Sequence, residues 1–241
     1  MPPSARLALM GTLELDLHGA AVRVPSSAQR LLAFTALRRR PLARGYVAGQ
    51  LWLDSTGDRA AASLRSALWR LHRAAGDVVW ASAREVGLSP WVEVDVDAIG
   101  AAAHAVLAGE RAHPGDVAAL TVSGDLLPDW YDEWIAVDRE RLRQLRVHAL
   151  EALCERWTAE RRFGEALEAG LAAVQVEPLR ESAHRALIGM HLAEGNVVEA
   201  VRQYETCKRL MARELGVRPS RLMVGLLDGA APRAQRRLGT A

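Results

Sequence analysis

Four arginines, Arg59, Arg65, Arg70 and Arg73, lie close together around Ser66 and Trp69, and no acid follows Asp58 before Gly76. Guanidinium forks and hydroxyls donate to phosphate oxygens and base edges, and an indole can meet a thymine methyl or a sugar. Their spacing decides whether they act together. At 100° per residue, Leu64, Leu68 and Leu71 share one side of a helix with Ala60, Ala67 and Ala75 nearby. Ala62, Ser66, Trp69 and Arg73 fall opposite, with Arg59, Arg65 and Arg70 on the flanks. Asp58 to Gly76 therefore reads as a helix capped by Asp58, seated on a core, with a basic outer face. An ordinary solvated face fits this segment alone equally well, so the flanking sequence must decide.

Upstream, residues 7–15 and 21–24 read as strands, and Pro25-Ser26-Ser27 opens a helix whose apolar face is Leu31, Leu32, Phe34 and Leu37. Arg38-Arg39-Arg40-Pro41 ends it. A shorter helix from Arg44 to Trp52 places Tyr46, Val47, Leu51 and Trp52 inward, although Gly45 and Gly49 weaken it. The loop Leu53, Asp54, Ser55, Thr56 and Gly57 leads into the arginine-rich helix. Beyond Gly76, Val78–Trp80 and Val86–Leu88 flank a polar tip that carries Arg84. This element order is that of a winged helix-turn-helix with an N-terminal sheet, in which the third helix enters the major groove and the hairpin tip reaches a phosphate or the minor groove. The candidate DNA contacts are Arg59, Arg65, Ser66, Trp69, Arg70, Arg73 and Arg84. Arg38, Arg39 and Arg44 are candidate phosphate contacts, although for Arg38 and Arg39 a charged helix C-terminus favourable to the dipole explains them nearly as well.

Charge distribution agrees. The net charge of +2 conceals eleven arginines against four acids between residues 20 and 90, a local excess of +7, while the remainder sums to −5. A nucleic-acid-facing module joined to a mildly acidic one has this pattern.

In the second half, Pro90 to Asp97 alternates as a short edge strand, and Asp97 is placed to cap a helix through AIGAAAHAVLAGE. From Trp130 to about Arg161 the pattern is helical, with Trp134, Val137, Leu142, Leu145, Leu150, Leu153 and Trp157 as core. An internal repeat follows: Ala149/Ala183, Leu153/Leu187, Glu160/Glu194, Phe163/Val197, Glu165/Glu199 and Ala166/Ala200 are each 34 residues apart. That period is the tetratricopeptide signature of paired antiparallel helices. Gly164 and Gly195-Asn196 are the expected turns.

The resulting expectation is a mainly α chain with a small β component: residues 1–94 a winged helix-turn-helix, 95–228 a helical repeat-like domain, and 229–241 a disordered tail. Enzyme chemistry finds no support. There is no phosphate-binding Gly-rich loop, no HExxH and no Gly-x-Ser-x-Gly, and the seven histidines have no metal-ligand spacing with Cys154 and Cys207. Neither a cofactor nor a metal is expected. No apolar run approaches the length of a membrane span, and MPPSARLALMGTLEL lacks the features of a signal peptide, so a cytoplasmic, nucleoid-associated location is the expectation.

The Asp-Val-Asp-Ala-Ile segment, LLPDWYDEWIAVDRERLRQLRVHALEAL and EPLRESAHRALIGMHLAEGNVVEAVRQYETCKRLMARELGVRPS, behind a basic winged helix, resemble the antibiotic regulatory protein family of actinobacterial activators. That family joins an OmpR-like DNA-binding domain to a bacterial transcriptional activator domain. The resemblance implies activation of antibiotic biosynthetic genes. It implies binding to direct repeats in double-stranded DNA, as a homodimer on the DNA, and recruitment of RNA polymerase holoenzyme through sigma or another subunit. It makes Leu53 to Gly57 the polymerase-contacting loop. Trp69 departs from the family, where smaller or polar residues are common. The alternative from a different class is an interaction module with a degenerate winged helix that titrates another regulator.

Overall fold

The computed structural model describes residues 5–122 and 124–228, and the tail from 229 onward lies outside the described residues. Two compact units emerge, one formed by residues 5–99 with 124–142, the other by 100–122 with 143–228.

The first unit opens with β1 (Ala5–Ala8), β2 (Glu14–Leu17) and β3 (Ala20–Val22). The continuous strand expected over residues 7–15 is broken, because Gly11 at φ 85° turns the chain between β1 and β2. Three helices follow, α1 (Ser26–Arg38), α2 (Arg44–Leu51) and α3 (Gly57–Ala75), with β4 (Leu42–Ala43) between the first two. Then come the hairpin β5 (Val79–Ala81) and β6 (Glu85–Leu88), and the edge strand β7 (Val92–Val94). Two sheets result, ordered β3-β2-β1-β7 and β4-β6-β5. β7 runs parallel to β1, with Ala5 opposite Val92 and Leu7 opposite Val94. β4, only two residues long and absent from the sequence reading, pairs Leu42 with Val86. The core is built from fully buried Leu7, Leu9, Leu31, Leu32, Phe34, Leu64 and Leu71. Tyr46, expected inside, is 44% exposed, and its ring stands 6.0 Å from Phe34.

Residues 124–142 complete this unit. Leu127 N–H donates to the Leu9 carbonyl at 3.0 Å and Gly11 N–H to that of Asp125 at 2.8 Å. Trp134 sets its ring edge-on to Phe34 at 5.1 Å. Asp95 ties the other end of β1. Its carboxylate accepts from the backbone N–H of Leu9 and Met10 at 2.9 Å and of Val96 at 2.8 Å. The helix α4 (Asp95–Leu107) accordingly begins at Asp95 rather than behind Asp97, whose carboxylate is ion-paired with Arg39.

The second unit contains the remainder of α4, then α5 (Pro114–Thr121), the later part of α6 (Glu133–Ala159), α7 (Phe163–Val176), α8 (Glu181–Glu194), α9 (Val197–Leu215) and α10 (Arg221–Asp228). α6 starts three residues later than expected, and Val137, assigned to the core, is 72% exposed. The 34-residue repeat has a structural counterpart: Phe163 and Val197 open α7 and α9. Ala149/Ala183, Leu153/Leu187 and Ala166/Ala200 are all buried. Gly170 lets α7 approach closely, since a Cβ there would stand 2.9 Å from Leu187 and 3.1 Å from the Cys154 sulfur. The turn residues differ from expectation. Gly195 closes α8 in the left-handed region at φ 98°, but its equivalent is Arg161 at φ 60°, and Gly164 sits inside α7.

Candidate nucleic-acid interface

α3 forms because its apolar residues recur at helical spacing and seat one stripe on the core. Ala60, Leu64, Ala67, Leu71 and Ala75 are buried, and Leu68 is half-buried beside them. Thr56, rather than Asp58, occupies the N-cap position, its carbonyl accepting from Ala60 N–H at 2.9 Å, and Asp58 lies in the first turn. There a negative charge complements the helix dipole. Gly76, at φ 64°, stops the helix.

The face away from the core carries every α3 residue expected to touch DNA. Arg59, Arg65, Ser66, Arg70 and Arg73 are exposed, and Trp69 is 59% exposed. The Arg73 guanidinium lies over the Trp69 ring, 5.1 Å from its centroid. This stack holds both side chains together on the solvent side of the helix. Arg70 Nη1 donates to the Ser27 hydroxyl at 2.7 Å.

The hairpin tip is a short turn organised by Ser82, whose hydroxyl accepts from the backbone N–H of Arg84 at 3.2 Å and of Glu85 at 3.0 Å. It presents Arg84 to solvent. Arg44, the first residue of α2, fastens to this tip twice: its N–H donates to the Arg84 carbonyl at 2.9 Å and its Nη1 to the Ser82 carbonyl at 3.0 Å. Arg44 thus steadies the hairpin, and three of its five guanidinium N–H donors lie on nitrogens outside that bond. Behind the tip, Gly87 leaves room for the Trp80 indole, because a Cβ there would stand 2.8 Å from the ring. Between α2 and α3 the loop exposes Leu53 (68%) and Asp54, with Ser55 N–H donating to the Trp52 carbonyl at 3.1 Å. Leu53, Ser55 and Gly57 line a shallow cleft of about 240 Å³ whose rim carries Arg44 and Arg65.

Two groups stand out among the arginines of this unit. Arg30, Arg38 and Arg39 are spent on the scaffold, paired with Asp132, Asp138 and Asp97. Arg38 also lies over the Phe34 ring at 4.9 Å, and Arg39 Nη1 donates to the Val92 carbonyl at 3.2 Å. Arg38 and Arg39, candidates for phosphate from sequence, are thereby occupied internally. Among the described residues, Arg59, Arg65, Arg70, Arg73 and Arg84 have no acidic partner. Sequence reading missed the acids that make this division. Asp132 and Asp138 find their arginine partners about a hundred residues away in the chain, beyond the reach of any local pattern.

A winged helix-turn-helix unit with a displayed basic face, followed by a tetratricopeptide-like helical array, defines a transcriptional regulator. The chain belongs to the bacterial transcriptional activator domain family, whose model matches residues 94–228, more than half of its length. It is of the antibiotic regulatory protein type. A solved structure, Mycobacterium tuberculosis EmbR in complex with low affinity phosphopeptide, superposes with a TM-score of 0.71 at 21% identity. The match covers 96% of this chain and 66% of that one, so this chain spans just under two thirds of its length. No curated protein sequence matches the chain. Among the described residues no group of His, Cys, Asp or Glu side chains is arranged to hold a metal ion, and no helix is long and apolar enough to cross a membrane.

Proposed function

We propose that this activator works by binding double-stranded DNA through α3 and the β5–β6 hairpin. The observation that carries the reading is the division of arginines: the scaffold neutralises Arg30, Arg38 and Arg39 with carboxylates, while those on α3 and the hairpin tip face solvent without an acid. Unpaired surface arginines on one face are what phosphate neutralisation and counterion release require. In this reading α3 lies in the major groove, with Ser66, Trp69 and Arg73 outermost, and Arg84 reaches the adjacent minor groove. The exposed Ala62 adds little, so direct readout is modest, and specificity comes substantially from two protomers on direct repeats. Residues 1–94 serve as the DNA-binding domain and 95–228 as the activator domain. The Leu53–Gly57 loop engages RNA polymerase holoenzyme at promoters of a biosynthetic cluster in the cytoplasm.

A mobility-shift titration of direct-repeat promoter fragments from neighbouring genes against random-sequence duplex tests the reading. Preference for the promoter fragments at moderate salt is expected. Equal affinity for both, with full activity in a promoter reporter, would refute sequence reading by α3 and favour the titrating interaction module. Replacing Arg70 and Arg73 together by Ala should weaken binding and lower the log–log salt slope by about 2, near 0.9 for each phosphate no longer neutralised.

A further inference from the structure

Beside α3, away from the Trp69–Arg73 stack, a cleft of about 350 Å³ opens against the start of α1. Its polar lining is Ser27, Arg30, Ser63, Ser66 and Arg70, over a floor that includes Trp52, and no acid lines it. Three hydroxyls and the Arg70 guanidinium, which has no acidic partner among the described residues, match a tetrahedral oxyanion, which offers acceptors in several directions and no donor.

Arg70 is held ready by its 2.7 Å bond to Ser27; because the serine oxygen accepts there, its own O–H remains to donate. Arg30 stays paired with Asp132 and borders the cleft as part of the scaffold. The first turn of α1 has no acid and no side-chain cap, so its amide end adds partial positive charge to the same cleft.

The geometry points to a backbone-phosphate clamp: the cleft's Ser27, Ser63, Ser66 and Arg70 seat one phosphodiester of the DNA bordering the groove that α3 reads. The inference rests on the DNA-binding reading. It assigns Ser27 and Ser63 a part in binding, and makes Arg70 a positioning contact to phosphate rather than a reader of bases. Ser27 sets the angle of Arg70, and the clamp fixes how far α3 rotates in the groove.

The test measures the full-length chain against the best duplex selected from a random library and against an unselected random duplex. Arg70→Ala should weaken both by the same factor, about tenfold, as removal of one charge-assisted hydrogen bond does. The salt slope should fall by about 0.9, and interference from ethylating one phosphate per half-site should disappear. Ser27→Ala should weaken both duplexes by a smaller equal factor, with Ser27→Thr restoring affinity. Ser27 and Arg70 are exposed, so the variants are expected to melt no lower than the wild type. A selective loss of binding to the selected duplex in Arg70→Ala would make it a base reader and overturn the clamp. Unchanged affinity in both variants would do the same while leaving DNA binding intact. Wild-type protein that binds neither duplex would instead remove the reading on which the clamp rests. Inorganic phosphate that competes with duplex below millimolar concentration at constant ionic strength would assign the cleft to a free anion and overturn the backbone assignment.

Discussion

Asp95→Ala should cost the first unit about 3 kcal/mol. The carboxylate receives three backbone N–H groups, from Leu9, Met10 and Val96, at 2.8–3.0 Å. Leu9 is fully buried, Val96 nearly so, and Met10 half-buried. An unpaired buried donor costs about 1–3 kcal/mol, so three such losses sum to several kcal/mol. Removing a partly buried carboxylate returns a portion of this, because burial is the largest influence on Asp95 and raises its pKa above 3.8, against the lowering effect of the three N–H bonds. The balance near 3 kcal/mol corresponds to a melting shift on the order of 10 °C for a unit of this size. Urea denaturation of the full chain, with hydrogen exchange at the Leu9 and Met10 amides as the local readout, measures it. A loss under 1 kcal/mol with unaltered protection would refute the reasoning. The pH dependence supplies an independent check. A raised folded-state pKa gives a contribution that is complete below the unfolded value and lost as pH rises through the folded value. The stability advantage of the wild type over Asp95→Asn should therefore shrink as pH rises above 3.8.

Arg161→Gly should stabilise the helical unit by up to about 1 kcal/mol, since Arg161 holds φ 60° where its repeat-equivalent is Gly195; destabilisation in a chemical melt would contradict this. Gly87→Ala should destabilise the hairpin unit by about 1–3 kcal/mol, because the new Cβ would stand 2.8 Å from the Trp80 ring, and an unchanged denaturation midpoint would show that the indole yields freely. Buried His184 sits 2.9 Å from the Pro178 carbonyl and 2.7 Å from Gln203, and burial lowers its pKa below 6.5. Its stabilising contribution is complete above pH 6.5 and lost as pH falls through the folded value, so acid sensitivity of the helical unit should diminish in His184→Asn. Burial pushes the Cys154 and Cys207 thiols up to about 12 and about 11, so a disulfide reagent at pH 8 should label the native chain far more slowly than the unfolded one.

How much of this was legible in the sequence depended on the range of the interaction. α3 was readable because its stripe repeats within one helix, and the 34-residue offset was readable because each repeat buries equivalent positions against its neighbour. The break between β1 and β2 was not: LALMGTLEL looks like one strand, and only the left-handed φ of Gly11 separates it. Two-residue β4 carries too little pattern to announce itself. Asp95 and Asp97 read as the polar side of an alternating strand, yet one binds the end of β1 and the other Arg39. Val137 followed the apolar helical pattern and still faces solvent. In the candidate interface, helical spacing foretold which arginines point outward on α3, but not that Arg38 and Arg39 are neutralised or that Ser27 holds Arg70.

The displayed arginines also set a trade-off within the fold. Arg70 and Arg73 are three residues apart on one helix without an acid to separate them, and like charges at that spacing repel. Ionic strength should then act in opposite directions on the two properties of the unit, raising its melting temperature by screening that repulsion while weakening its hold on a polyanion. Charge-neutral substitutions here would produce a sturdier protein that, on the proposed reading, holds DNA less well, so selection for stability alone would erode the proposed contact surface.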